Sequence, residues 1–245
     1  MRRMTLVGSA LLYLTTTSIS VGAMEEEPAP AGHYATEEGW GQLSIRPASG
    51  GVEAFSITTN STGTSGCELK GTLKRGIGTA RNGSQACSIR FRRIQDGVQL
   101  VADSTSTACR DFCGANGSFE GEYRAILPLC TPTGVNKVRR AFSQDYKAKQ
   151  YANSAMTLRS LLDRCTQVLD EFQLGAIRND LALAQYKDGD RGACIATLEP
   201  YRNDANRQDD DIAKDWSGGS SGSDLATKYL TIVRAARTNL RMCSR

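Results

Sequence analysis

The sequence predicts a two-domain α+β protein, with an N-terminal antiparallel β sandwich or barrel bearing disulfides and a C-terminal all-α domain. Three observations carry this. Short alternations of apolar and polar residues fill the first half, and apolar residues recur at helical spacing in the second. Eight cysteines follow a segment with the form of an export leader.

That leader comes first. Met1-Arg2-Arg3-Met4 precedes an apolar run from Leu6 to Ala23 that contains no Asp, Glu, Lys or Arg. A basic start, a short apolar stretch and the small residues Val21-Gly22-Ala23 predict a signal peptide over residues 1–23, cleaved after Ala23. Thr15, Thr16, Thr17, Ser18 and Ser20 interrupt the run and make it a poor spanning helix, so no membrane insertion is expected after cleavage. The destination is a periplasm or an extracellular space. Losing Arg2 and Arg3 lowers the formal charge from +4 to +2, too near balance for a dedicated nucleic-acid binder.

Residues 24–32, acidic and then Pro/Ala-rich, read as a flexible lead-in. Residues 33–130 read as the β domain. Apolar and polar residues alternate in GQLSIR (41–46), AFSITT (54–59), CELKGTL (67–73) and CSIRFRRI (87–94), as in strands with one wet face. Asp96-Gly97 before Val98-Gln99-Leu100-Val101 signals a hairpin. Five to seven antiparallel strands are expected.

Pro128 and Pro132 mark the junction to a helical domain over residues 131–245. Val138, Phe142 and Tyr146, then Ala155, Leu158, Leu161, Leu162, Cys165 and Leu169, recur at helical spacing. Residues 179–187 and 193–198 form two further helical blocks, joined by Asp188-Gly189-Asp190 and stopped by Pro200. Ala182, Tyr186, Gly189, Cys194, Leu198 and Pro200 fall near the spacings of a tetratricopeptide repeat, which residues 137–200 resemble. Tyr146, Tyr151, Ser154 and Leu158 make a weaker copy, offset by 40 residues between Leu158 and Leu198. An ordinary helical hairpin accounts for the same residues. Polar residues at about 203–223, including Asp209-Asp210-Asp211 and SGGSSGS, predict a mobile loop. A last helix, capped by Asp224 and carrying Leu225, Tyr229, Ile232, Val233, Ala236 and Leu240, would close the repeat array.

Cysteine parity links the halves. Cys67, Cys87, Cys109, Cys113 and Cys130 lie in the β part, and Cys165, Cys194 and Cys243 in the helical part. Both counts are odd, so full oxidation demands at least one bridge across the boundary, with Cys130 its natural member. The pairing expected is Cys67–Cys87, Cys109–Cys113, Cys165–Cys194 and Cys130–Cys243, one of several that spacing allows.

No metal is expected. Only one close cysteine pair exists, and His33 is the only histidine. A Ser-His or Cys-His mechanism would depend on that one residue, placed beside the lead-in, and no G-x-S-x-G, P-loop or dinucleotide fingerprint is present. No cofactor and no enzymatic activity are expected. The weaker alternative is a cell-wall-acting carboxylate enzyme using Glu120 and Glu122, which would share one strand face. Arg90 and Arg92 also share a face, against which an acidic partner could dock.

Gly39-Trp40-Gly41-Gln42-Leu43-Ser44-Ile45, Cys67-Glu68-Leu69-Lys70-Gly71, and Cys109-Arg110-Asp111-Phe112-Cys113-Gly114 leading to Phe119, Gly121 and Tyr123 resemble cysteine-bearing β domains of bacterial periplasmic lysozyme-inhibitor-like proteins. The inhibitor loop of that class reads Ser-Gly-x-x-Tyr. This chain departs from it with Ser118-Phe119-Glu120-Gly121-Glu122-Tyr123. The resemblance implies an exported protein, lysozyme-inhibitor-like or an interbacterial immunity protein, that occludes a cell-wall hydrolase or secreted toxin. Arg110, Asp111, Phe119, Glu120 and Tyr123 are the expected contacts, with Arg90 and Arg92 beside them. The alternative is a periplasmic adaptor that holds a peptide or protein in the helical groove. No feature sets an oligomeric state.

Overall fold

A computed structural model describes residues 29–60, 66–103, 107–114, 117–216 and 222–245. The expected leader, residues 1–23, lies outside the described residues. Eight antiparallel strands close into a barrel in chain order: β1 (Gly32–Ala35), β2 (Gly41–Pro47), β3 (Glu53–Thr59), β4 (Glu68–Lys74), β5 (Ile77–Asn82), β6 (Gln85–Ile94), β7 (Gly97–Ala102) and β8 (Gly121–Ala125). A barrel removes the exposed edges that an open sheet of these strands would leave.

Alternation sets which face is inside. Leu43 and Ile45, Phe55 and Ile57, Leu69 and Leu73, Ile89 and Phe91, and Val98 and Leu100 all point inward and are fully buried. Phe55 and Phe91 meet edge to face with centroids 5.1 Å apart. The interior is a packed core of side chains. The expected β6–β7 hairpin is present, one residue earlier than its Asp-Gly signal: Ile94 pairs with Gly97, leaving Gln95 and Asp96 in the turn.

Of the expected flexible lead-in, residues 24–28 lie outside the described residues and residues 29–32 are ordered. Ala29 is buried in the barrel core, Gly32 opens β1, and His33 pairs with Ser44 on a strand. Closure rests on the shortest register in the barrel, Tyr34 with Ala125 and Ala35 with Arg124 between β1 and β8. Ala35 faces outward there and joins the core of the helical region.

The helical region contains α1 (Pro132–Lys147), α2 (Tyr151–Cys165), α3 (Glu171–Lys187), α4 (Arg191–Thr197), α5 (Arg202–Ala205), α6 (Asp209–Asp215) and α7 (Gly222–Cys243). Thr131 caps α1 by accepting from Gly134 N at 3.1 Å, with Pro132 at the first helical position. Asp170 and Gln173 form a reciprocal capping box on α3. The turns after α1 and α3 are equivalent: Lys149 N donates to Tyr146 O and Gly189 N to Tyr186 O, with positive φ at Lys149 and Gly189. The two turns are 40 residues apart, the same offset as Leu158 and Leu198, both fully buried.

Helix α7 packs on α3 and α4 through Tyr229, Ile232, Val233 and Ala236. It begins before Asp224, which sits in its first turn. Asn179 Nδ2 donates to Ile232 O (3.2 Å), and Asn239 Nδ2 donates to Asn179 Oδ1 (3.0 Å), so a buried amide pair ties α3 to α7.

The segment expected as a mobile loop carries α5 and α6 instead, and residues 217–221 lie outside the described residues. Its polar side chains are internal fasteners. Arg237 reaches from α7 to Asp209 Oδ1, Ala205 O and Arg207 O, which explains how so few apolar residues order it.

All eight cysteines are paired, with every partner different from the expected one. The bridges are Cys67–Cys113, Cys87–Cys109, Cys130–Cys165 and Cys194–Cys243. Register is the reason. Cys87 points inward from β6 and Cys67 stands just before β4, so each meets the β7–β8 connection rather than the other. The parity argument survives, because Cys130 does cross from the end of the barrel into α2. Four bridges suit an oxidising compartment.

Candidate functional site: a stapled turn and an aromatic groove

The β7–β8 connection folds across the end of the barrel, where a 3₁₀ turn runs over Thr107–Phe112. Cys109 is fixed to Cys87 on the barrel wall and Cys113 to Cys67 at the head of β4. A backbone bridge between Cys67 and Cys113, and Gly114 N donating to Gly66 O at 3.1 Å, hold the second attachment. Two anchors four residues apart leave this turn little conformational freedom to lose on binding. Arg110 and Asp111 stand exposed between them, their side chains without a partner among the described residues.

The remaining predicted contact residues divide. Phe119 and Tyr123 are corrections: both lie in the barrel core, 3% and 0% exposed, and the Tyr123 hydroxyl donates to Phe119 O at 2.8 Å. Burial pushes the Tyr123 phenol far above its usual range. They shape the connection from beneath and cannot touch a partner. Glu120 is exposed, and its Oε1 accepts from Ala102 N at 2.8 Å. Glu122 is exposed opposite Gln99. Neither carboxylate has the apolar shielding that acid chemistry needs. Arg90 and Arg92 lie on the wet face of β6, alternating with buried Ile89 and Phe91, and belong to the barrel wall rather than to the stapled turn.

The same connection supplies Ser118 and Glu120 to a groove of about 1400 Å³ between the barrel end and the helices. Both tryptophans of the chain line it, Trp40 from the β1–β2 connection and Trp216 after α6. Trp40 leans edge-on against Tyr123, with centroids 6.1 Å apart. On the helical wall Phe172 meets Trp216 at 5.4 Å, and Trp216 stacks on Tyr229 at 4.5 Å. Rigid aromatic side chains bury large areas at low entropic cost and suit a binding surface.

Gly39 creates the junction behind this groove. Its φ is +67°, and a Cβ there would stand 2.7 Å from Val168 O and Asp170 N. Only glycine allows both the backbone conformation and the approach. The barrel thereby rests on the α2–α3 connection, while Cys130–Cys165 joins the halves covalently.

Acids outnumber bases around the groove: Glu37, Glu38, Glu120, Asp170 and Glu171 against Arg139, Arg178 and Lys228. Arg139 is already paired with Asp180 at 2.9 Å. Partial burial, then the nearby Asp204 carboxylate, holds the Glu171 carboxyl above its ordinary range, with the Tyr229 hydroxyl working in the opposite direction. That hydroxyl donates to Asp204 Oδ2 at 2.6 Å. Burial also raises Asp180, against the pull of Arg139, and lifts Tyr201 to about 12.

Sequence reasoning did not find the groove. Its signal was the placement of the only two tryptophans, one in each half, together with Tyr201 just past Pro200. No group of three or more His, Cys, Asp and Glu side chains that could hold a metal ion occurs among the described residues. No helix among them is long and apolar enough to cross a membrane. No protein-family model, curated protein or solved structure matches the chain.

Proposed function

We propose that the chain is an exported binding protein that inhibits an envelope-targeting enzyme or toxin by occlusion. The doubly stapled turn carries this reading. Arg110 and Asp111 are presented on a backbone fixed at both ends by disulfides, so a partner's cleft meets a preformed plug. Export to a periplasm or the extracellular space, after loss of residues 1–23, supplies the oxidising conditions that the bridges need. The protein acts without a cofactor, and its partner is a protein, either a cell-wall hydrolase or a secreted toxin.

The test uses the oxidised chain from residue 24 in lysis assays with a panel of lysozymes and cell-wall-acting toxins. The native chain protects the wall, and Arg110→Ala with Asp111→Ala abolishes protection while leaving the melting temperature unchanged. Failure to bind or block any member of the panel ends the inhibitor reading.

A second reading is a periplasmic adaptor, favoured by the aromatic groove. Here the chain is two domains, and the equivalent turns 40 residues apart are tetratricopeptide-like repeats closed by α7. Trp216→Ala separates the two: it removes groove binding and leaves occlusion by the stapled turn intact.

A further inference from the structure

A second pocket, of about 770 Å³, lies at the C-terminal end of α7. Every ionisable side chain lining it is an arginine: Arg202, Arg207, Arg237, Arg241 and Arg245. Leu240 and Ile195 supply an apolar floor.

Three of the arginines are held in place by neighbouring carboxylates and backbone carbonyls. Arg207 donates to Asp204 Oδ1 (3.0 Å) and Asp215 Oδ2 (2.6 Å). Arg237 uses Nε, Nη1 and Nη2 on Ala205 O, Asp209 Oδ1 and Arg207 O. Arg202 spends only Nε, on Glu199 Oε2 at 2.7 Å. Arg241 and Arg245 have no side-chain partner among the described residues. Arg207 and Arg237 are thereby fixed, their charge offset by Asp204, Asp209 and Asp215, and the unspent donors of Arg202, Arg241 and Arg245 line the same space. Planar guanidinium forks recognise phosphoryl oxygens in pairs.

We infer that this pocket binds a diphosphate-class anion, two linked phosphoryl groups whose oxygens are shared among Arg202, Arg241 and Arg245. A single phosphate offers fewer acceptor oxygens than three guanidinium forks can engage. A linked pair supplies more charge and more oxygens, shared among the three forks that line a volume of about 770 Å³. The site is separate from the stapled turn and the groove, and it stands whether or not the inhibitor reading does.

Isothermal titration of the oxidised chain at low salt with inorganic pyrophosphate, orthophosphate and citrate tests it. Pyrophosphate binds with one-site stoichiometry, at least about tenfold more tightly than orthophosphate or citrate. Arg241→Gln and Arg202→Gln each weaken it about tenfold or more, the loss of one charge-assisted contact. Arg140→Gln, on the exposed side of α1, leaves it unchanged. Circular dichroism and melting of each variant establish that the fold is kept. No pyrophosphate binding at millimolar concentration overturns the inference. Equal affinity for citrate overturns the diphosphate preference, and unchanged affinity in folded Arg241→Gln removes the site from this pocket.

Discussion

Alanine at Gly39 and at Gly50 gives a paired measurement of what joins the barrel to the helices. The two glycines have nearly the same backbone, φ +67° and +74°. A Cβ at Gly50 meets nothing within 4 Å, whereas at Gly39 it falls 2.7 Å from backbone atoms of Val168 and Asp170. Gly50→Ala therefore isolates the left-handed conformation. That costs about 1–2 kcal/mol in the native state, reduced by about 0.4–1 kcal/mol through the stiffer unfolded chain. Gly39→Ala carries the same cost and must also displace the Val168–Asp170 backbone. Asp170 caps α3 by accepting from Gln173 N at 2.7 Å, a bond that shifts with it. Loss of such a cap costs about 1 kcal/mol, and overpacking adds about 1–3 kcal/mol. Gly39→Ala is expected to lose about 2–4 kcal/mol more than Gly50→Ala. Urea unfolding of the oxidised proteins, followed by tryptophan fluorescence, reads the difference directly, because Trp40 adjoins the site. Equal losses in the two variants would refute the idea that this contact holds the halves together.

Three further outcomes follow from the packing. Replacing Cys130 and Cys165 by serine frees a loop of sequence separation 35 and should cost about 4 kcal/mol by the chain-entropy estimate; urea midpoints and slopes of the double variant measure it, and an unchanged midpoint contradicts the estimate. Asn179→Leu strips the Asn239 amide of its side-chain acceptor and should cost about 1–3 kcal/mol. Asn179→Leu with Asn239→Leu should recover part of that loss in thermal melts, and a double variant worse than the sum of the singles argues against the buried pair. Glu171 has a native pKa raised above its usual 4.5, so the native state holds its proton more tightly than the unfolded chain. Its contribution is therefore full below about pH 4.5 and is lost as pH rises through the native pKa. Glu171→Gln should flatten the fall in urea midpoint above that pH, although Asp180 keeps some of it; a slope identical to wild type rules Glu171 out as its source.

The strands that sequence reasoning found are those with two or more large inward residues, such as Leu43 and Ile45 or Ile89 and Phe91. Those it missed are β1, β5 and β8. Strand β5 turns Gly78 and Ala80 inward and exposes Ile77, while β8 has Tyr123 as its one fully buried residue. In β5 the alternation is real but is written in small side chains, because Phe55 and Phe91 fill the space beneath it. Phe119 and Tyr123 read as contact residues in sequence, because an aromatic pair beside a cysteine motif looks the same on either side of a wall. Arg110 and Asp111 stayed accessible because they lie on the turn itself.

By itself the sequence determined the order of the parts and, given full oxidation, the need for a bridge across the boundary. Those follow from periodicity, composition and parity, which are properties of neighbours and counts. Only the tertiary structure decided which cysteines meet, that the polar segment after Tyr201 is helical, and that Trp40 and Trp216 line one groove. Each depends on barrel register or helix packing, where partners lie tens of residues apart and local spacing has no bearing on the distance between them.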